Sequence, residues 1–402
     1  MVNAEVGSPS PAMPGPQEAS LGVGPQLGER PFIVIWEVTQ ACDLACVHCR
    51  ASAQPLRSPS ELSTEEGESL IRQVRELHTP VFVLTGGDPL KRPDIYRLVE
   101  YGTGLGVRVS LSPSATPLLT REALAELKAR GLARLAISLD GSTPEIHDRF
   151  RGVSGSYARV LQAIGWAREL GLPVQVNSTM SRHNVQDFDD LARLVETLGI
   201  VLWSVFFLVP TGRGKAQDLL SGEEFEQLFA KLYELSGRVV FDVKTTEAMH
   251  YRRYFTQRRT LENKGAPNGA SHPRAPLWLK SSALAQPGPD GIPRAVKGIN
   301  DAKGFVFISH RGEVYPSGFL PLSGGNIRRN SLAEIYRTSP LFLALRDTAN
   351  LKGKCGVCDF REICGGSRAR AYALSGDPLD PEPCCVYQPP RWAGAGQSAA
   401  IL

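Results

Sequence analysis

The eight cysteines of this chain fall into two groups. Three lie in one octapeptide, Cys42-Asp-Leu-Ala-Cys46-Val-His-Cys49, and five close the chain at Cys355, Cys358, Cys364, Cys384 and Cys385. The interval between Cys49 and Cys355 contains none. Three thiolates at the first spacing cannot complete a tetrahedral zinc site unaided, but they can hold three irons of a [4Fe-4S] cube and leave the fourth iron open to a ligand. The alternative is a zinc or closed-cluster site finished by a distant residue. His48, inside the same octapeptide, reads as a ring beside such a cluster rather than as a ligand. In the second group, the Cys355-x2-Cys358-x5-Cys364 spacing plus one of the adjacent pair Cys384 and Cys385 suits either a zinc knuckle or a further cluster. Adjacent cysteines do not easily face one metal, so one of the two is spare.

Other residues offer complementary chemistry. Thr85-Gly86-Gly87-Asp88-Pro89 joins two glycines, which admit close backbone approach, to an acid. Ser138 and Asp140 lie in SLDGS, Arg151 lies in HDRFRG, and an arginine can grip a carboxylate bidentately. Arg368 and Arg370, in GGSRARAYA, could bind substrate carboxylates or neutralise an anionic cluster, and the second is the preferred reading. The run Arg252, Arg253, Arg258 and Arg259 reads as a solvated face. Trp203, Phe206 and Phe207 read as core.

These residues need a scaffold, and hydrophobic periodicity supplies one. Six short β-branched runs, Phe32–Val38, Val81–Thr85, Val107–Ser112, Leu135–Asp140, Val174–Thr179 and Val201–Val209, read as buried strands. Between them Ser63–Leu77 opens with a capping box of Ser63 and Glu66. Helical spacing also fits Asp94–Tyr101, Thr120–Arg130, Ser156–Leu170 and Val185–Leu198. Alternating strands and helices imply an α/β fold with a parallel sheet and right-handed crossovers, here a curved partial (β/α)6 TIM-like barrel. The cysteine octapeptide follows the first strand, at the C-terminal mouth of that barrel. A helix over Glu223–Leu235 and a strand over Val239–Val243 extend it, and GFVFISHRGEVYPSG reads as a hairpin. The expected organisation is a disordered leader at 1–30, the barrel at 31–240, a connector and flexible loop at 241–300, a small C-terminal cysteine domain at 301–392 and a tail at 393–402.

Composition narrows the class of function. Forty-two per cent hydrophobic residues describe an ordinary globular chain, and 45 basic against 41 acidic side chains leave a net charge of only +4. That gives no case for nucleic acid or a membrane as the main partner. The Pro/Gly/Ser-rich start has no signal-peptide pattern and no apolar run suits a bilayer, so the thiols are expected to work in a reducing cytoplasm as ligands rather than as disulfides.

A CxxxCxxC motif in the loop after strand one of a (β/α)6 barrel resembles the radical S-adenosylmethionine (SAM) superfamily, over about residues 31 to 215. The resemblance implies that Cys42, Cys46 and Cys49 hold a [4Fe-4S] cluster whose open iron binds the amino and carboxylate groups of SAM. Reduction then yields a 5′-deoxyadenosyl radical that abstracts hydrogen from the substrate. It also implies that Gly86, Gly87 and Asp88, standing where relatives have Gly-Gly-Glu, meet the SAM amino group. Ser138, Asp140 and Asn177 would line the SAM pocket, and Arg151 would bind the SAM carboxylate.

The tail resembles a SPASM or twitch extension holding an auxiliary [4Fe-4S] cluster. CGVCDFREICGGSRARAYALSGD and EPCCVYQP are similar to the haem-biosynthetic subgroup, comprising Fe-coproporphyrin decarboxylases and nitrite-reductase-haem enzymes. There the fourth cysteine follows Glu-Pro-x and precedes Val-Tyr, which selects Cys385 beside Cys355, Cys358 and Cys364 and leaves Cys384 extra. Ser317 stands where many SPASM proteins have a cysteine, so the set suffices for one auxiliary cluster. The implied reaction is oxidative decarboxylation of a tetrapyrrole propionate, with a reductant such as flavodoxin or ferredoxin. A peptide-modifying maturase and a non-enzymatic iron-sulfur or zinc scaffold are the alternatives.

Overall fold

Strand β1 (Ile33–Glu37) divides its side chains between two faces. Val34 and Trp36 enter the main core, whereas Ile33 and Ile35 join a smaller apolar cluster on the opposite side. This period-two division recurs along the sheet and separates a helix-covered face from a barrel interior. The computed structural model describes residues 27–265, 288–294 and 298–392.

After β1 come α1 (Thr64–Glu76), β2 (Val81–Thr85), α2 (Ile95–Gly104), β3 (Val109–Leu111), α3 (Arg121–Ala129), β4 (Arg134–Ser138), α4 (Pro144–Arg151) and α5 (Ser156–Glu169). Then follow β5 (Val174–Met180), α6 (Phe188–Thr197), β6 (Leu202–Phe207), α7 (Gly222–Arg238), β7 (Asp242–Thr246) and α8 (Tyr251–Gly265). Strands β1 to β7 pair in parallel and in chain order, so the α/β partial-barrel reading holds, with β7 as a seventh strand. The capping box at Ser63 and Glu66 starts α1 as its sequence requires.

Two helices depart from the sequence reading. The short α4 begins at Pro144 and buries only His147 and Phe150, too little to leave a periodic signature. Helix α8 replaces the expected connector start and the first part of the expected loop. Its arginines dilute the apolar pattern, although Tyr251 and Phe255 are buried. Most of the expected leader, most of the Pro/Gly-rich loop and the 393–402 tail lie outside the described residues.

The C-terminal part supplies β8 (Asn300–Asp301), β9 (Gly304–Ile308), β10 (Glu313–Tyr315) and β11 (Gly325–Asn326). The expected hairpin is β9 with β10, but β9 also pairs in parallel with β1, from Ile33 opposite Phe305 to Trp36 opposite Ile308. The sheet therefore continues across the expected boundary at residue 301. Helices α9 (Leu332–Thr338), α10 (Pro340–Arg346), α11 (Gly353–Gly356) and α12 (Arg368–Ser375) complete the described chain.

Residues 288–294 close the N-terminal end of the barrel. Arg134 Nε donates to Asp290 at 2.6 Å, and Arg294 donates to Asp242 at 2.6 Å and to Asp290 at 2.9 Å, while Ile292 packs into the cluster of Ile33 and Val81. Access and chemistry are left to the opposite, C-terminal end. Among the described residues no helix is long and apolar enough to cross a membrane.

Candidate active site

The loop after β1 is shaped by contacts that only glycine permits. A Cβ on Gly87 would lie 2.5 Å from the Ala41 carbonyl oxygen and 2.6 Å from that of Gln40. Without one, Gly87 N–H donates to Thr39 O at 2.8 Å and Asp88 N–H to Ala41 O at 2.6 Å. Gly212, at φ +61°, comes equally close from the loop after β6, and the next residue, Arg213, donates its N–H to Cys49 O at 2.9 Å. The cysteine loop is thus stitched to two strand ends.

Each of its thiols accepts a polar hydrogen. Leu44 N–H reaches Cys42 Sγ at 3.3 Å, Ala53 N–H reaches Cys49 Sγ at 3.4 Å, and Arg151 Nη1 reaches Cys46 Sγ at 3.7 Å. Burial pushes the Cys42 thiol up. Such donors favour anionic sulfur, as iron ligation requires.

The three thiols line a cavity of about 220 Å³ together with Gly86, Gly87, Ser138, Arg151 and Asn177. Two expected pocket residues are not in its wall. Asp88 is fully buried, and its carboxylate accepts from Thr116 Oγ1 at 2.6 Å, Leu90 N–H at 3.2 Å and Ser114 N–H at 3.4 Å. It locks the loops after β2 and β3 together instead of reaching the cavity. Asp140 is also buried, ion-paired to Arg151 and bonded to Thr179 N–H at 2.6 Å. Burial raises its carboxyl above the ordinary range despite the guanidinium. Asp140 therefore aims Arg151 rather than meeting a ligand.

His48 stacks on Phe150 at 4.2 Å and lines the cavity. Burial first, and the Arg151 and Arg213 cations next, hold it well below its ordinary value and so neutral. Trp203 and Phe207 are buried as expected, but Phe206 is a correction. It faces the interior and lines the cavity beside Phe319, 6.2 Å away.

Two arginines in the cavity wall escaped the sequence reading. Arg50 is held by the buried Glu37 at 2.7 Å and lies over Phe307. Arg213 presents buried Nε and Nη2 atoms with no partner. Its signal is the TGRG turn directly after the sixth strand.

The tail builds a separate pocket. Cys355, Cys358, Cys364 and Cys385 line it with His250, Arg253, Lys354 and Tyr387. Every sulfur meets a backbone N–H: Glu382 to Cys355 at 3.3 Å, Phe360 to Cys358 at 3.4 Å, Gly366 to Cys364 at 3.4 Å, and Tyr387 to Cys385. Cys384 turns away. Its Sγ donates to Leu220 O at 3.7 Å, and burial pushes its thiol up to about 12. Among the described residues, no three His, Cys, Asp or Glu side chains converge tightly enough to hold a single ion. The four thiols instead share the wall of one pocket. Ser317 is buried and bonded to Phe319 N–H at 3.3 Å.

Several basic residues are corrected by burial. Arg370 is completely buried and donates to Glu382 at 3.0 Å, Leu208 O at 3.2 Å and Glu247 O at 2.6 Å. Arg368 donates to Pro378 O at 2.9 Å and Asp380 O at 2.8 Å. Neither is placed to receive substrate carboxylates; both pin the tail. Of the supposed solvated run, Arg258 pairs with Glu262 at 3.2 Å on the surface, but Arg253 is buried against Glu226 and Tyr387. Arg252 turns inward to Ile363 O at 2.9 Å.

A family profile described as the Radical SAM superfamily matches residues 36–195. Over 359 residues the chain is 38% identical to the AdoMet-dependent heme synthase of Methanosarcina barkeri, covering 89% of this chain and 97% of that one. This chain belongs to the radical SAM superfamily. As a radical SAM enzyme it uses a [4Fe-4S] cluster and SAM. It is also 31% identical over 364 residues to the Mycofactocin maturase MftC of Mycobacterium ulcerans, covering 89% of this chain and 88% of that one. The fold matches Streptococcus suis SuiB, solved with S-adenosylmethionine, at a TM-score of 0.66 and 15% identity, over 89% of this chain and 78% of that one. The likeness in fold thus extends well beyond the residues that the profile matches.

Proposed function

We propose that this radical SAM enzyme removes carbon dioxide from propionate side chains of a tetrapyrrole, using two iron-sulfur clusters. Cys42, Cys46 and Cys49 hold the cluster that binds SAM, and Cys355, Cys358, Cys364 and Cys385 hold an auxiliary [4Fe-4S] cluster. When bound, SAM and the reduced cluster supply hydrogen-atom abstraction from an unactivated carbon. The observation that carries the two-cluster reading is the four-sulfur tail pocket, separate from the barrel cavity and provided with one N–H for each sulfur. The tetrapyrrole reading draws on the relative named AdoMet-dependent heme synthase, which this chain matches along nearly its whole length.

The residues divide the remaining work. Gly86 and Gly87 offer backbone to the cavity, Ser138 and Asn177 give it a polar edge, and Arg151, fixed by Asp140, faces anionic groups. Phe206 and Phe319 screen the interior from water, which would quench a reactive carbon. Each propionate would give up one hydrogen atom, carbon dioxide and one electron, leaving a vinyl group. Cys355, Cys358, Cys364 and Cys385 would hold a cluster able to accept that electron. The initial electron comes from a reductant such as flavodoxin or ferredoxin, in a cytoplasm that keeps the thiols reduced.

Anaerobic reconstitution should give two cubes, about eight irons per chain. Incubation with reductant, SAM and Fe-coproporphyrin should then yield 5′-deoxyadenosine and a porphyrin lighter by formic-acid steps. A peptide-modifying maturase is the second reading, favoured by the likeness to the mycofactocin maturase. Turnover of a peptide and none of Fe-coproporphyrin would establish it and defeat the first.

A further inference from the structure

One row of side chains crosses the barrel interior. Ser138 pairs with Asn177, Asn177 with Ser204, and Ser204 with Lys244, so β4, β5, β6 and β7 present all four at one height. Ser138 and Asn177 line the cavity, while the adjoining Ile137, Val176, Val205 and Val243 enter the core under the helices. Pleat alternation therefore turns Lys244 into the interior. It stands two strands beyond Asn177, about 10 Å along the sheet.

The interior cations around it are mostly matched. Arg134 and Arg294 are paired with Asp290 and Asp242, Arg50 with Glu37 and Arg151 with Asp140. Among the described residues Lys244 has no hydrogen bond and no ion pair, and Arg252 has only the Ile363 carbonyl. Through Ile363, the residue before Cys364, Arg252 reaches the edge of the tail pocket. Glu247, three residues on, is engaged by Ser367 Oγ, and burial with Asp301 pushes its carboxyl up to about 8. It carries little compensating charge at neutral pH. Lys244 is half-buried, so its ammonium stays accessible from the interior, where a carboxylate can bridge to it.

We propose that Lys244 is an anchor for a substrate carboxylate in the barrel interior, two strands along the sheet from the Asn177 wall of the cysteine cavity. The inference rests on the tetrapyrrole reading and gives it a subsite. A molecule with several propionates can fix one at Lys244 while another meets the radical site. Lysine suits this task because its three donors rotate freely, so the anchor tolerates rotation of the ring as successive propionates react.

The test is anaerobic titration of the reconstituted protein with Fe-coproporphyrin, read from its absorbance. Lys244→Met should raise Kd roughly 10- to 100-fold, the loss expected for one hydrogen bond to a charged group. Lys244→Arg should keep most of the affinity. The tetramethyl ester of the same porphyrin, which has no carboxylates, should not distinguish wild type from Lys244→Met. Iron content and circular dichroism verify the fold, and Lys244→Gln takes the place of the methionine variant if that variant loses iron. Equal Kd values for wild type and Lys244→Met, or the same loss with the ester, would overturn the anchor alone. A wild-type protein that binds no Fe-coproporphyrin would overturn the tetrapyrrole reading and the anchor with it.

Discussion

Replacing Arg370 with methionine separates structural from substrate-binding roles for the basic residues of the tail. Arg370 Nη1 spans both oxygens of Glu382, at 3.0 and 3.1 Å, and its other nitrogens reach the carbonyls of Leu208 and Glu247. Glu382 is itself 1% exposed and otherwise held by Ser367 N–H at 2.7 Å and Cys384 N–H at 3.1 Å. Arg370→Met would leave a buried carboxylate with two amide donors and no cation. Breaking a buried pair by removing one partner costs about 3–5 kcal/mol. That is a large share of the roughly 5–15 kcal/mol that holds a typical domain folded. Anaerobic urea titration of the reconstituted protein should therefore show the midpoint falling by on the order of 1 M or more. Iron should leave the tail first, because Glu382 N–H also bonds Cys355 Sγ. The double variant Arg370→Met with Glu382→Gln abolishes the stranded charge and should recover part of the loss. An unchanged midpoint, or a double variant that loses the sum of the two single effects, refutes the buried clamp. A raised KM with normal stability would instead restore the carboxylate-binding role.

The other predictions concern thiols, glycine and a buried acid. Cys385→Ser should lower iron from about eight to about four per chain, whereas Cys384→Ser should leave it unchanged, as read by iron assay after reconstitution. Gly87→Ala places a Cβ 2.5 Å from the Ala41 carbonyl and must displace the cysteine loop. It should abolish the electron paramagnetic resonance change on adding SAM while the tail cluster persists; an intact SAM response would sink the close-approach argument. Burial first and then the neighbouring Asp301 raise Glu247 from 4.5 to about 8 in the folded protein. Stability from its protonated form is fully present below the unfolded value and is lost as pH rises through the folded one. Wild type should lose stability between about pH 4.5 and pH 8, and Glu247→Gln should lose less over the same range; parallel curves would refute the assignment.

What the sequence made legible was local. Strand β5 (VQVNSTM) alternates buried and half-buried residues, and the Ser63 and Glu66 capping box announces its helix, because both patterns lie within a few neighbours. The cysteine spacing is equally local, and so is the Val-Tyr context that singled out Cys385. What stayed hidden depends on partners far along the chain. The parallel pairing of β9 with β1 joins residues from opposite ends of the sequence, and no periodicity in either strand announces it. Arg370 reads as a cation for an anionic cluster or a substrate carboxylate, and only the fold surrounds it with the carbonyls of Phe207 and Leu208 and the carboxylate of Glu382.

Asp88 is the most instructive case, because its residue type suggested a ligand and its geometry gives a different role. Its short side chain reaches its own backbone at Leu90 N–H and caps the turn at Pro89–Lys91. Thr116 and Ser114, from the next βα loop, then take the remaining acceptor capacity. Ser114 Oγ in turn donates to Gly87 O at 2.7 Å and lies 3.4 Å from Cys42 Sγ. An acid adjacent to the cavity is thereby converted into a brace that acts through Ser114 on the first cysteine. The peptide backbone of Thr85, Gly86 and Gly87 is left as the surface that this loop turns toward the cavity.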